Sequence, residues 1–99
     1  MVFRVGWTDV ALLDLKEAVD YIALDDPKPA KAIGEEILGV ATLLESFPCL
    51  GPKLKQPTSV PVFQINAAKH YRVFYRVEKS QKFVEILRVL HGSRDLPDF

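Results

Sequence analysis

The 99-residue sequence predicts an α+β fold of two layers in one domain spanning residues 1–99. Its parts are an N-terminal strand, an antiparallel helical hairpin, and a three-stranded antiparallel meander that completes one sheet. Three observations predict it. Apolar residues alternate over Val2 to Trp7, switch to helical spacing beyond Thr8, and alternate again from Tyr71. Pro27 and Pro48 cut the helical stretch into two amphipathic segments. The two apolar stripes so produced need a further layer to cover them, and the remaining strands supply it.

In the first strand Phe3, Val5 and Trp7 alternate with Val2, Arg4 and Gly6, and Trp7 is a core candidate. Thr8 is placed to cap the first helix, and Asp9 suits the positive end of its dipole. Leu12, Leu15, Val19 and Ile22 follow at helical spacing, with Asp14, Glu17 and Asp20 expected on the solvent side. The helix is expected to stop near Asp25-Asp26-Pro27. A second begins at once, with Asp26 as cap and Pro27 or Pro29 tolerated in its first turn. Ile33, Ile37, Val40, Leu44 and Phe47 form its apolar stripe, and Glu35, Glu36 and Glu45 face water. Gly34 and Gly39 each cost it about 1 kcal/mol relative to Ala, unless close packing uses the missing side chains.

Pro48 ends this helix. Residues Cys49 to Pro61, broken by Gly51, Pro52, Pro57 and Pro61, are expected to be loop. Val62 to Ile65 forms a short strand. In Tyr71 to Val77, Tyr71, Val73, Tyr75 and Val77 line one face and Arg72, Phe74 and Arg76 the other. After the polar turn Glu78 to Lys82, Phe83 to Leu90 is apolar on both faces, as a strand central in the sheet should be.

Composition narrows the function classes. With 48% hydrophobic and 26% charged residues the chain can build a core. Thirteen Lys+Arg against thirteen Asp+Glu exclude coating of nucleic acid by bulk charge. That neutrality is a cancellation. Residues 1–50 carry four bases and nine acids, a balance of minus five, whereas residues 51–99 carry nine bases and four acids, a balance of plus five. The single cysteine, Cys49, excludes an internal disulfide and a Cys-built zinc site, and is expected as a small loop or core residue. His70 and His91 have no carboxylate at ligand spacing, so no metal and no cofactor is expected. The absence of an apolar run of about 20 residues, and of a leader-like start in Met1-Val2-Phe3-Arg4-Val5, gives a cytoplasmic, membrane-free expectation.

The chemistry-bearing residues gather late in the chain. Arg72 and Arg76 stand on the second sheet face if Tyr71, Val73, Tyr75 and Val77 point at the helices. His91, Arg94 and Asp95 follow the last strand. Cleaving RNA needs a proton acceptor at the 2′-hydroxyl, cations for the transition state and an acid for the leaving oxygen. His91 suits the acid or base role, and Arg72, Arg76 and Arg94 suit bidentate phosphate contacts. The same arginines also suit solvated pairing with Glu78 and Glu85, and a histidine at a strand end is commonly a hydrogen-bonded surface residue. The residues alone leave both readings open.

Larger segments carry a resemblance. Trp7-Thr8-Asp9 with Ala11, Asp14-Leu15 and Asp20-Tyr21-Ile22 resembles the opening of ParE-type toxins. Tyr71-Arg72-Val73-Phe74-Tyr75-Arg76-Val77 and Ile86-Leu87-Arg88-Val89-Leu90-His91-Gly92-Ser93-Arg94-Asp95 resemble the two most characteristic strands of the RelE/ParE superfamily. The likeness covers essentially the whole chain and implies the toxin of a type II toxin–antitoxin pair. That in turn implies growth inhibition, plasmid stabilisation and a cognate antitoxin encoded in the same operon.

Two activities compete within the superfamily. ParE-like members inhibit DNA gyrase without an established catalytic site, whereas RelE-like members cleave mRNA on the ribosome. The ribonucleases carry lysines on the strand before Tyr71, where this chain has Gln64 and Asn66. Arg72 matches an arginine kept by both kinds. The paired helices and the His91-to-Asp95 ending lean toward ParE, so the resemblance implies a gyrase inhibitor. The alternatives are a ribonuclease using Arg72, His91 and Arg94, and a non-toxic domain that only binds antitoxin. For the antitoxin or target, the implied contacts are Arg72, Arg76, Arg88, His91 and Arg94, on the open sheet face and the groove beside the helices.

Overall fold

A computed structural model describes residues 2–97 and 99. Met1, from which the leader comparison starts, and Asp98, one of the four acids of residues 51–99, lie outside the described residues. The elements run β1 (Arg4–Trp7), α1 (Asp9–Ala23), α2 (Pro27–Ser46), β2 (Phe63–Ala67), β3 (Tyr71–Glu78) and β4 (Phe83–His91). They form one four-stranded sheet in the order β1-β4-β3-β2, with the hairpin on one face. β2, β3 and β4 are the expected antiparallel meander. β1 joins it in parallel, Arg4 opposite Phe83 and Trp7 opposite Ile86, so β4 is an interior strand along that stretch. Among the described residues no helix is long and apolar enough to cross a membrane.

The helix ends follow their sequence signals. The Thr8 hydroxyl oxygen accepts the Ala11 N–H at 3.1 Å, and the Asp26 carboxylate accepts the Lys28 N–H at 3.1 Å ahead of Pro27. The core facing the hairpin joins Ala11, Ile37 and Leu44 to Tyr71, Val73, Tyr75, Val84, Ile86 and Val89. α1 is turned relative to the expected stripe. Ala11, Leu15, Ala18 and Ile22 meet the core, whereas Leu12 is 49% exposed. Two alanines on that face let the helix lie close to the sheet. At the end of α2, Phe47 is the C-cap and is 56% exposed rather than part of the buried stripe. Trp7 packs half-buried against the core, and Cys49 is exposed.

The second sheet face is less open than the sequence suggests. Val62, Phe74 and Leu90 form a smaller buried cluster there, with Leu54, Leu87 and Phe99 packed against it. The expected loop between α2 and β2 is the cover. Leu54 N–H donates to the Val62 carbonyl at 2.8 Å, Gln64 N–H to the Pro52 carbonyl at 2.9 Å, and Gly51 N–H to the buried Tyr75 hydroxyl at 2.9 Å. These bonds satisfy polar groups along the β2 edge that would otherwise stand unpaired. Burial pushes the Tyr75 hydroxyl pKa up, against the lowering effect of the Gly51 amide. β2 itself begins one residue later than expected, because Val62 turns into the second cluster.

Two local features shape the functional end. A register shift sets Phe74 opposite Arg88 but Tyr75 opposite Ile86, so Leu87 is a bulge residue. Between β2 and β3, Ala68 and Lys69 take left-handed φ values of 51° and 65°, a conformation costing a non-glycine residue about 1–2 kcal/mol.

The glycines of α2 make opposite predictions. A Cβ at Gly39 meets nothing within 4 Å, so Gly39→Ala is expected to add about 0.5–1 kcal/mol of stability. At Gly34 a Cβ comes 3.1 Å from the Val19 Cγ2, so the same change gains less or loses. Gly51→Ala places its Cβ 2.3 Å from the Gln64 carbonyl oxygen, which is backbone, and should cost more than about 2 kcal/mol. Urea unfolding followed by circular dichroism ranks the three; Gly51→Ala at wild-type stability would contradict this account of the strap.

Candidate functional site

The β3–β4 ladder ends with Tyr71 opposite His91 and Arg72 opposite Leu90. Beyond it the chain turns back: Gly92 N–H donates to the His70 carbonyl at 2.6 Å, and Arg94 N–H to the His91 carbonyl at 2.9 Å. This turn gathers three of the expected site residues, Arg72, His91 and Arg94, at one corner of the sheet. One Arg72 Nη donates to the Arg94 carbonyl, and its guanidinium lies 5.5 Å from the Phe74 ring centre. The Arg72 Nε is buried without a hydrogen-bond partner among the described residues.

His91 is held from two sides. Its ring meets Tyr71 edge-on with centroids 5.4 Å apart, and stacks with His70 at 6.0 Å and an angle of 21°. Its Nδ1 accepts the Ser93 N–H at 3.1 Å and lies 2.7 Å from the Ser93 hydroxyl. An Nδ1 that accepts from a backbone amide carries no proton, so the neutral ring bears its hydrogen on Nε2. Arg94 is exposed, and its guanidinium has no carboxylate partner among the described residues.

The other two arginines are already engaged. Arg76 Nε donates to its register partner Glu85 at 2.8 Å, the pairing that the solvated reading anticipates. Arg88 reaches α1 instead of open solvent. Its Nε lies 2.7 Å from one Asp14 carboxylate oxygen and its Nη2 3.0 Å from the other, and the first oxygen also accepts the Val89 N–H at 3.0 Å. The Asp14 side chain is only 9% exposed, so its expected place on the solvent side is corrected: it faces the edge of β4. This carboxylate holds the Arg88 guanidinium pKa above its ordinary value. No periodicity in α1 marks Asp14. The available signal is Arg88 itself, a charge within the apolar run Ile86 to Leu90 that needs a partner when buried.

A cleft of about 480 Å³ opens between α1 and the end of the sheet, lined in part by Glu17, Tyr21, Tyr71, His91 and Arg94. Burial raises the Tyr71 hydroxyl pKa, so that group stays a neutral hydrogen bonder there. Along α1 beside it, Leu13, Tyr21 and Leu24 are exposed apolar side chains, Leu24 to 83%. A second cleft shares Tyr71, His91 and Ser93 with the first and includes Lys69 and His70, which sequence reasoning did not place in a site. No group of three or more His, Cys, Asp or Glu among the described residues could hold a metal ion. The corner offers cations, imidazoles and hydroxyls, a set suited to gripping an anion.

The model for the ParE toxin of the type II toxin–antitoxin system parDE matches residues 5–96. No curated protein matches the sequence. Among solved structures, the chain resembles one from the chromosomal ParDE system of P. aeruginosa, at 25% identity and TM-score 0.71, covering 91% of this chain and 96% of that one. It also shares its fold with the archaeal RelE–RelB complex of Pyrococcus horikoshii, at 23% identity and TM-score 0.66, covering 96% and 100%. The RelBE2 toxin–antitoxin complex of Mycobacterium tuberculosis is similar at 23% identity and TM-score 0.66, covering 95% of both chains.

The Asp14 contacts predict a graded series. Asp14→Ala leaves both Arg88 and the Val89 amide without their acceptor, and is expected to cost about 2–3 kcal/mol, a fall in Tm of roughly 10–20 °C for a domain this size. Asp14→Asn keeps an oxygen for the Val89 N–H and should cost about half as much. Thermal melts of the two variants check the order, and equal costs would remove the amide from the account.

Proposed function

Because the chain belongs to the ParE toxin family of type II toxin–antitoxin systems, we propose that it arrests DNA gyrase through protein–protein contacts and is neutralised by a cognate antitoxin. The observation that carries this reading is the state of the arginines. A ribonuclease must present several cations to one phosphate, yet Arg76 is paired with Glu85 and Arg88 with Asp14. The strand beside Arg72 adds only neutral Gln64 and Asn66, 3.5 Å apart. What remains for partners is a corner with Arg72, His91 and Arg94, together with the exposed apolar side chains of α1.

Such a surface suits a partner segment that folds as it binds, because ordering entropy is repaid only by broad coverage. The apolar positions Leu13, Tyr21 and Leu24 would take its hydrophobic residues. Arg94, whose guanidinium has no carboxylate partner among the described residues, would take an acidic one. The ParDE and RelBE assemblies that share this fold are toxin–antitoxin systems, which supports the expectation of an antitoxin here.

The ribonuclease alternative rests on Arg72, His91 and Arg94 lying together at the strand end. A supercoiling assay with purified gyrase, run beside primer extension on translated mRNA, separates the readings. Loss of supercoiling with intact message is expected, and codon-phased cuts would replace the gyrase reading with the ribonuclease. Silence in both assays would leave the non-toxic, antitoxin-binding domain. Arg94→Glu is expected to weaken antitoxin binding about tenfold or more by reversing an exposed anchor, with Tm unchanged; calorimetric titration measures it.

A further inference from the structure

The second cleft, of about 240 Å³, is lined by donors and cations: Asn66, Lys69, His70, Arg72, His91 and Ser93, with no Asp or Glu among its residues. Three independent features converge on it. The Arg72 Nε beside it is a buried donor with no acceptor among the described residues. The two imidazoles stack 6.0 Å apart, and Ser93 occupies the His91 Nδ1, leaving Nε2 as that ring's uncommitted donor. The turn that presents Lys69 and His70 keeps Ala68 and Lys69 at positive φ. Such backbone persists only where its surroundings hold it, and it gathers at ligand clamps. The hold here is the bond from Gly92 N–H to the His70 carbonyl, which ties the turn to the segment after β4.

We propose that this cleft seats a carboxylate side chain from an acidic segment of a partner protein, with Lys69 and His70 completing the grip of Arg72 and His91. The proposal rests on the reading of the chain as a toxin restrained by a partner protein, and adds the two residues Lys69 and His70. With Ser93 on the His91 Nδ1, the Nε2–H is the donor that this ring offers to an anion. The other charged or titratable groups facing the rings are Lys69, Arg72, Arg94 and Tyr71. From α1, Glu17, Tyr21 and Asp14 approach through the neighbouring cleft, and Asp14 is already bound to Arg88. A nucleic acid suits the place less well. Its successive phosphates would leave the cleft over neutral Gln64 and Asn66, or over arginines already paired with Glu85 and Asp14.

The test is an NMR titration of the whole protein with an end-blocked hexapeptide of Asp and Glu, beside a single-stranded RNA hexamer. Peptide is expected to shift Lys69, His70 and His91. Lys69→Gly, which suits the positive φ of 65° and so keeps the turn, and His70→Gln are each expected to weaken the peptide about fivefold or more. Variants that bind like the wild type, shifts confined to other residues, or tighter binding of RNA at these positions would each overturn the seat. Wild-type protein that inhibits gyrase yet binds no acidic peptide overturns this inference and leaves the toxin reading standing. Peptide binding without gyrase inhibition supports the seat and removes the gyrase target.

Discussion

The Asp14 carboxylate is the contact on which the arrangement of the two layers turns. β1 pairs with β4 only as far as Ile86, which leaves the last part of β4 without a strand neighbour on that side. A sheet edge with unpaired amides is costly when covered by apolar residues. α1 resolves this with two polar side chains on its sheet side. The Thr8 hydroxyl donates to the Leu87 carbonyl at 3.1 Å, and Asp14 accepts the Val89 amide while clasping Arg88 at both ends of its fork. The first helix is thereby fixed in rotation as well as in position. That rotation turns Ala11 and Ala18 under the helix and Leu12 outward.

The same clasp decides which charges are left for function. The basic half of the chain looks uniform when its residues are counted, but the fold divides it. Arg76 and Arg88 are neutralised within the protein by Glu85 and Asp14, both partly screened from solvent. Arg72 is partly engaged by a carbonyl, which carries only a partial charge, and the exposed Arg94 has no carboxylate partner among the described residues. At one corner of the sheet Arg72 and Arg94 are joined by Lys69 and two histidines. A patch of that size steers and anchors a single acidic group and does not track a polyanion. Beside it, α1 supplies exposed apolar side chains, so one partner segment can be held by charge at one end and by hydrophobic burial along the other.

Rigidity and strain are distributed to match. The strap between α2 and β2 is tied to the sheet by three hydrogen bonds and by the burial of Val62, so the edge next to the site does not move freely. Among the described residues, positive φ at a non-glycine residue occurs singly at Lys82 in the β3–β4 turn and in succession at Ala68 and Lys69, in the turn that carries Lys69 and His70 into the second cleft. Strain placed beside a cluster of cations fits a surface prepared in advance for a partner.

Much of this was legible in the sequence because it depends on local periodicity and on residues with restricted backbones. The strand-to-helix switch at Thr8, the break at Pro27, the end of the second helix before Pro48 and the face of β3 that carries Tyr71, Val73 and Tyr75 all follow from spacing, capping and proline geometry. The gathering of Arg72, His91 and Arg94 was also foreseeable, since the last strand and its neighbour end together. Long-range pairing was not. Whether Asp14 faces water or Arg88 depends on where β1 stops along β4. Which arginines keep their charge depends on acids more than seventy residues away in one case and across a strand register in the other. The covering of the second face depends on a proline-broken loop finding the β2 edge. By itself the sequence determined the elements, their order and the basic character of the later half. The tertiary structure alone decided which of those charges are satisfied internally and which remain to bind, because a buried charge must find its counter-charge wherever the packed layers bring one.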